Sequence, residues 1–378
     1  MTPRGQVFLM RLGSDESVLE KLGSMVEADL RPRELLARPE GVYLSLDSPT
    51  STQRIADTIG RNIPVSTCDS IPAETSPPGS DWFVRFLGQE YKIRECLSTV
   101  VDRLQGFSSE HAGCQLMRMK HCGVNPDMLD LRLSAVEMTG FVESKRLLFE
   151  EAERHDLAVI FQRLEMFKKR KGLVCFDLDS TLVAEELIVE TASKVGKAAE
   201  VEELTDRAMS GELDYSRSFL HRVGLLAGVT ATDLEQVWRE ATPADGVQEL
   251  LQDLRMKGIK TAILSGAFSF FVERARDRFG VDFAYGNEVE IRDGRMTGSV
   301  RGEIVDGGVK SRRMRELAGS LGLTVDQVVA VGDGANDLEI IRKTGTGIAY
   351  DKGGAVKTEA DGLLPEGRLR QLPLLTGM

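Results

Sequence analysis

The stretch Leu173-Val174-Cys175-Phe176-Asp177-Leu178-Asp179-Ser180-Thr181-Leu182 constrains the fold more than any other, because an apolar run stops abruptly at two carboxylates. An unbroken apolar run of this kind reads as a strand buried on both faces, the pattern of a central strand in a parallel sheet. Asp177 and Asp179 mark where it ends. Residues two apart in an extended chain point to the same side, so the two acids repel unless a cation or a shared proton separates them. Whatever the chain does has to account for that repulsion.

From Gly172 onward strand and helix patterns alternate. Helices are expected from Glu185 to about Glu240 and over Gly246–Lys257, Phe268–Arg278, Lys310–Leu321 and Leu338–Thr344. Strands are expected at Lys260–Leu264, Gln327–Val331, Thr346–Ala349 and Gly362–Leu364, with extended pieces at Asp282–Tyr285, Glu288–Arg292 and Arg295–Ser299. Short apolar strands alternating with helices predict an α/β domain built on a parallel sheet with helices on both faces. Ligands in such domains sit at the carboxyl ends of the strands. Three strand ends carry polar residues that could meet there: Asp177 and Asp179, then Ser265-Gly266, then Gly332-Asp333-Gly334.

Asp177, Asp179, Asp333 and Asp337, joined by Ser265 and by Lys310 near a helix start, would gather up to four carboxylates in one crevice. A donor set of hard oxygens suits Mg²⁺, which would relieve the repulsion. With that charge present Asp177 can attack phosphorus and form an aspartyl-phosphate, while Asp179 protonates the leaving alkoxide and later activates water. Each piece has a plainer reading. Gly-Asp-Gly-Ala-Asn-Asp and Ser-Gly also occur in ordinary strand-to-helix turns, and a lysine at a helix start is usually solvated.

Taken in order, Asp177-Leu178-Asp179-Ser180-Thr181, Ser265-Gly266, Lys310 and Gly332-Asp333-Gly334-Ala335-Asn336-Asp337 resemble the motifs of the haloacid dehalogenase superfamily over about residues 172–365. The resemblance implies a HAD-like Rossmannoid fold. It also implies Asp177 as nucleophile and Mg²⁺ ligand, Asp179 as acid/base and backbone-carbonyl ligand, and Asp333 as the third ligand. Ser265, Gly266 and Lys310 would hold the phosphoryl group, Asn336 would reach the substrate, and Asp337 would support the metal shell.

The same resemblance places a helical cap at about residues 185–245. Glu186 lies where the family has the acid that meets a substrate amino group. Met209, Tyr215 and Arg222 fall in a stretch leading to the arginine that pairs with a substrate carboxylate, and Arg offers carboxylates a two-pronged match. The implied reaction is Mg²⁺-dependent hydrolysis of O-phospho-L-serine, the last step of serine biosynthesis. Alternatives are phosphoryl transfer to another alcohol, another small phosphomonoester, or an amino-acid-binding regulator with a vestigial hydrolase domain. Two departures stand out: Ala267 where a second glycine often follows, and Tyr215 where phenylalanine is usual.

Ahead of this region the pattern is smaller and repeats. Residues 1–70 read as strand Gln6–Leu12, helix Ser14–Ala28, extended Glu34–Ala37 and Gly41–Leu46, helix Ser51–Gly60 and strand Ile63–Cys68. A Pro- and Gly-rich linker follows at about 71–80. Residues 81–165 then give strand Trp82–Leu87, helix Ile93–Leu104, strands Gly113–Met119 and Met128–Ala135, helix Phe141–Arg154 and strand Leu157–Phe161. The repeated strand-helix-strand-strand-helix-strand order, with Gly13 and Gly88 near the first turn, resembles the ACT family of ferredoxin-like α+β modules. That resemblance implies a possible amino-acid effector and side-by-side pairing, hence a homodimer. His111, Cys114, His121 and Cys122 cluster in sequence but match no zinc spacing and read as ordinary residues.

A net charge of −11 argues against nucleic-acid or anionic-membrane partners, and the basic run Lys168–Lys171 reads as a solvated junction. No apolar run reaches the ~18–20 residues of a membrane helix, and no apolar core follows Met1–Gly5, so a cytoplasmic protein is expected. Five cysteines, Cys68, Cys96, Cys114, Cys122 and Cys175, suit reduced thiols.

Overall fold

In the computed structural model, residues 6–10, 32–38, 41–46, 65–68, 81–89, 91–93, 95–96, 113–120, 127–134, 141–209, 212–351 and 354–378 are described. The chain divides into two compact units, Met1–Phe167 and Lys168–Met378.

The first unit contains β1 (Gln6–Met10), β2 (Pro32–Arg38), β3 (Gly41–Leu46), β4 (Val65–Cys68), β5 (Asp81–Gly88), β6 (Gly113–Lys120), β7 (Asp127–Ser134) and β8 (Ala158–Arg163). Their order is β8-β5-β7-β6-β2-β3-β1-β4, and each described pairing is antiparallel. The halves share one arrangement, β2-β3-β1-β4 and β6-β7-β5-β8. Helix Phe141–Arg154 matches its expected bounds and leads into β8. Where β5 and β7 face each other, Arg85 and Asp130 are register partners joined by two hydrogen bonds of 2.6 and 2.7 Å. This two-pronged geometry lets a charge pair survive burial. Helices expected over Ser14–Ala28 and Ser51–Gly60, the linker, and His111, His121 and Cys122 lie outside the described residues, as does the Cys114 side chain. Of the helix expected at Ile93–Leu104, residues 93, 95 and 96 are described and helical, as are residues 91 and 92 just before it. Cys96 and Cys175 are free, buried thiols, and burial pushes Cys96 up to about 12.

The second unit is built on β9 (Leu173–Phe176), β10 (Lys260–Phe268), β11 (Phe283–Arg292), β12 (Arg295–Arg301), β13 (Val328–Gly332), β14 (Thr346–Tyr350) and β15 (Gly362–Leu364). The order is β12-β11-β10-β9-β13-β14-β15. β9 pairs in parallel with both β10 and β13, and only the β11–β12 pair is antiparallel among the described residues of this unit. All four β9 residues are buried, as its apolar run demands. At about 25 cal/mol per Å² of apolar surface, such side chains contribute roughly 1.5–3 kcal/mol each when fully buried.

Two expectations need correction. The pieces expected at Asp282–Tyr285 and Glu288–Arg292 are one strand, β11. Its first part pairs with β10 and its second part with β12. Gly286-Asn287 resembles a turn in sequence, yet a Cβ at Gly286 would lie 2.9 Å from the Ala267 carbonyl oxygen, so glycine is there for close approach. Asn287 donates to the Gly266 carbonyl at 2.7 Å and accepts from the Val305 amide at 2.8 Å. Second, β10 does not stop at Leu264 but continues to Phe268, with a register shift between those residues. Ser265-Gly266-Ala267 is therefore an irregular bend within a strand, a common device for re-aiming side chains beside a site.

The cap is formed by helices Leu187–Ser193, Ala198–Met209, Tyr215–Leu225 and Ala231–Glu240. Its two connections to the sheet run side by side: the Ala184 amide donates to the Thr242 carbonyl at 3.0 Å, and the Ala244 amide to the Leu182 carbonyl at 2.9 Å. The Thr242 amide also donates to the Glu185 carboxylate. The far edge of the cap is held by the β11–β12 hairpin, where Gly228 donates to the Met296 carbonyl and Met296 to the Val229 carbonyl, both at 2.8 Å.

Candidate active site

Asp177 is the first residue beyond β9. Its amide donates to the Val331 carbonyl at 3.1 Å, extending the pairing with β13 by one residue and fixing the direction of the side chain. Oδ1 accepts from the Leu178 amide at 2.7 Å; Oδ2 accepts from Lys310 Nζ at 2.6 Å and from Asn336 Nδ2 at 2.9 Å. Burial alone would push the Asp177 carboxyl up. The Lys310 charge, with hydrogen bonds from Lys310, Ser265 and Leu178, outweighs it and holds the group below the ordinary range.

Lys310 lies in the first turn of helix Gly307–Ser320, which starts three residues before the expected Lys310 and is capped by Asp306 accepting from the Val309 amide. Its side chain is fully buried and also donates to Asp337 Oδ1 at 2.7 Å. One ammonium cannot balance two carboxylates. Burial and the charge of Asp177 push Asp337 up to about 7 despite Lys310. Gly332 makes room for this neighbour, since a Cβ there would fall 2.3 Å from Asp337 Oδ2.

Past Asp177 the chain folds tightly around one carbonyl: the amides of Thr181, Leu182 and Val183 all point to the Leu178 oxygen, at 3.3, 2.8 and 3.1 Å. Ser180 takes a left-handed conformation, φ 53°, which costs a non-glycine residue about 1–2 kcal/mol. Its hydroxyl donates to Glu186 Oε1 at 2.9 Å, and Thr181 Oγ1 reaches Asp333 Oδ1 at 3.4 Å. Asp179 has no partner for its buried Oδ1. Burial and then the charges of Glu186 and Asp177 hold this carboxyl well above the ordinary value; burial with Asp337 and Asp177 does the same to Asp333.

Oxygens of Asp177, Asp333 and Asp337 lie within 4.8 Å of one another. Asp337 Oδ2 is buried without a partner. A set made only of carboxylate oxygens, two with raised pKa and one orphaned, fits a hard divalent cation such as Mg²⁺. The Asp179 side chain is not part of this cluster.

A pocket opens at Asp177. Asp177, Asp179, Ser265, Gly266 and Asn336 line its sheet side; Glu186, Tyr215 and Arg222 line its cap side. Lys310, Asp333 and Asp337 do not line the pocket but join the site through Asp177, by the Lys310 hydrogen bond and the carboxylate cluster. Arg222 is buried; its Nη1 donates to Thr205 Oγ1 at 2.9 Å, and its Nε has no partner. Burial raises Glu186 above the ordinary value. The sequence motifs do not include Thr205, and they include Ser180 and Thr181 without giving either hydroxyl a role. Thr205 sits mid-helix, where a threonine carries no signal of its own; Ser180 and Thr181 directly follow the two acids, which was a usable signal.

Residues 174–342 match the family described as haloacid dehalogenase-like hydrolase. The chain is 40% identical over 227 residues to a phosphoserine phosphatase of Archaeoglobus fulgidus, an alignment spanning 60% of this chain and 66% of that protein. It is 35% identical over 205 residues to a phosphoserine phosphatase of Methanocaldococcus jannaschii, covering 54% of this chain and 97% of the relative. A substrate-bound phosphoserine phosphatase structure superposes with a TM-score of 0.52 at 34% identity, over 54% of this chain and 98% of that one.

Proposed function

We propose that this chain, which belongs to the haloacid dehalogenase-like hydrolases, hydrolyses O-phospho-L-serine to L-serine and phosphate. It is a phosphoserine phosphatase. The observation that carries the reading is one pocket with an ionised aspartate, Asp177, at its floor and a buried arginine and a glutamate, Arg222 and Glu186, across from it. A phosphoryl group belongs at the first end and the zwitterionic end of an amino acid at the second.

Asp177 attacks the phosphorus. Its bond to phosphorus forms as the bond to the serine oxygen breaks, and that oxygen leaves with the electron pair and takes a proton from Asp179. The raised pKa of Asp179 keeps a proton available for this step. Asp179 then removes a proton from the water that attacks the aspartyl-phosphate, releasing phosphate and restoring Asp177. Ser265, the Gly266 amide and Lys310 hold phosphoryl oxygens, Asn336 reaches the substrate, and Lys310 keeps Asp177 ionised. Mg²⁺ would be held by Asp177, Asp333 and the Asp179 carbonyl, supported by Asp337, and when bound supplies positive charge to the transferring phosphoryl group.

Residues 172–378 form the phosphatase domain, with the cap at about 185–245. Residues 1–70 and 81–165, joined by the 71–80 linker, are ACT-like modules that carry an amino-acid effector site and pair the chain as a homodimer. The shared strand arrangement of the two halves supports this part of the reading. The protein works in the cytoplasm at the last step of serine biosynthesis. The test is phosphate release with Mg²⁺ from O-phospho-L-serine, O-phospho-L-threonine and phosphate esters without an amino group. Preference for the first, and loss of turnover and of an acid-labile phosphoenzyme in Asp177→Asn, are expected; no release from O-phospho-L-serine refutes the reading.

A further inference from the structure

Tyr215 opens the cap helix Tyr215–Leu225. Its ring stacks on Phe219, with centroids 6.2 Å apart and planes 10° from parallel, and the Arg222 guanidinium lies 5.8 Å from its centroid. A phenylalanine would serve both contacts equally well. The hydroxyl is the addition.

That hydroxyl rests on the bend in β10. An ideal Cβ built on Gly266 would fall 1.7 Å from it, so it fills the space a side chain at Gly266 would need. Nothing is hydrogen-bonded to it among the described residues. It faces the pocket shared by Asp177, Ser265 and Gly266. Burial raises its pKa, so the phenol keeps its proton and acts as a donor.

We propose that Tyr215 is a phosphate-binding residue whose hydroxyl donates a hydrogen bond to a phosphoryl oxygen of the bound monoester above Gly266. It adds a cap-borne donor to the donors of the sheet side. The inference rests on the phosphatase reading. It places a phosphate contact on the cap, where Glu186 and Arg222 face the amino-acid end.

The test is Tyr215→Phe, which removes one oxygen and keeps the ring. Binding of inorganic phosphate with Mg²⁺ is measured by titration calorimetry, and kcat/KM is measured on O-phospho-L-serine and on O-phosphoethanolamine, which lacks the carboxylate. A hydrogen bond to a charged acceptor is worth about 1.5–3 kcal/mol, so phosphate affinity and both kcat/KM values should fall roughly tenfold or more. Unchanged phosphate affinity overturns the proposal. A loss confined to O-phospho-L-serine also overturns it, by assigning the hydroxyl to the carboxylate end. If the wild type turned over neither ester, the phosphatase reading would fall, while the calorimetry would still decide whether the hydroxyl binds phosphate.

Discussion

Replacing Lys310 by methionine removes the cation shared by Asp177 and Asp337 while keeping a long apolar side chain in place. The ammonium is fully buried, 2.6 Å from one carboxylate and 2.7 Å from the other. Deleting one partner of a buried ion pair costs about 3–5 kcal/mol, because the remaining charge stays desolvated. With a urea m-value of about 2–3 kcal/mol/M, the unfolding midpoint should drop by roughly 1–2.5 M. The loss should depend on pH. In the wild type Asp177 is held below its ordinary value, so it contributes stability above its unfolded pKa that is lost as pH falls through the lower folded value. In Lys310→Met its folded pKa rises instead, so the variant is already less stable near pH 4 and its deficit grows toward neutrality. Adding Asp337→Asn removes one of the two stranded charges and should recover more than about 1 kcal/mol. Urea melts at pH 4.5 and 7.5 without divalent cations measure all three effects. A midpoint within about 0.3 M of wild type at pH 7.5, or a deficit independent of pH, would refute the dependence of the carboxylates on Lys310.

Arg222→Ala should raise KM for O-phospho-L-serine roughly tenfold or more while sparing O-phosphoethanolamine, the scale of a lost hydrogen bond to a charged group. Thr205→Val should repeat that selective loss more weakly, because Thr205 accepts from Arg222 while donating to the Val201 carbonyl; Thr205→Ser should restore it, and equal losses on both esters would count against a positioning role. Gly332→Ala should force Asp337 aside and weaken Mg²⁺ affinity, read by titration calorimetry. Without divalent cations the protein should lose stability as pH rises from the ordinary carboxylate value toward about 7, since Asp337 titrates higher in the folded state than in the unfolded one. Saturating Mg²⁺ should flatten that slope in thermal melts.

The strands at the centre of the second unit were legible because burial on both faces leaves an unbroken apolar run, and the acids ending β9 were legible because charge cannot continue it. β11 was not, since Gly286-Asn287 carries the same residue types whether it turns the chain or admits a neighbour's backbone. The pocket residues recovered from sequence were those in ordered motifs. Thr205 escaped because its importance arises from Arg222, which is 17 positions away and on another helix. The Tyr215 hydroxyl was visible as a departure, but its contact with Gly266 exists only once the cap is folded over β10.

The side-by-side connections at residues 182–185 and 242–244 give the cap the topology of a detour. The backbone leaves the sheet and returns through one doorway, so what lies between is a closed excursion whose length is nearly independent of the geometry beneath it. Loop closure grows only with the logarithm of length, and lengthening such a detour twofold adds roughly 0.6 kcal/mol. A doorway of this kind lets the selecting half of an enzyme be exchanged while the reacting half keeps its shape. Grafting another cap between Leu182 and Ala244 would change what is admitted to Asp177 without asking β9 to move.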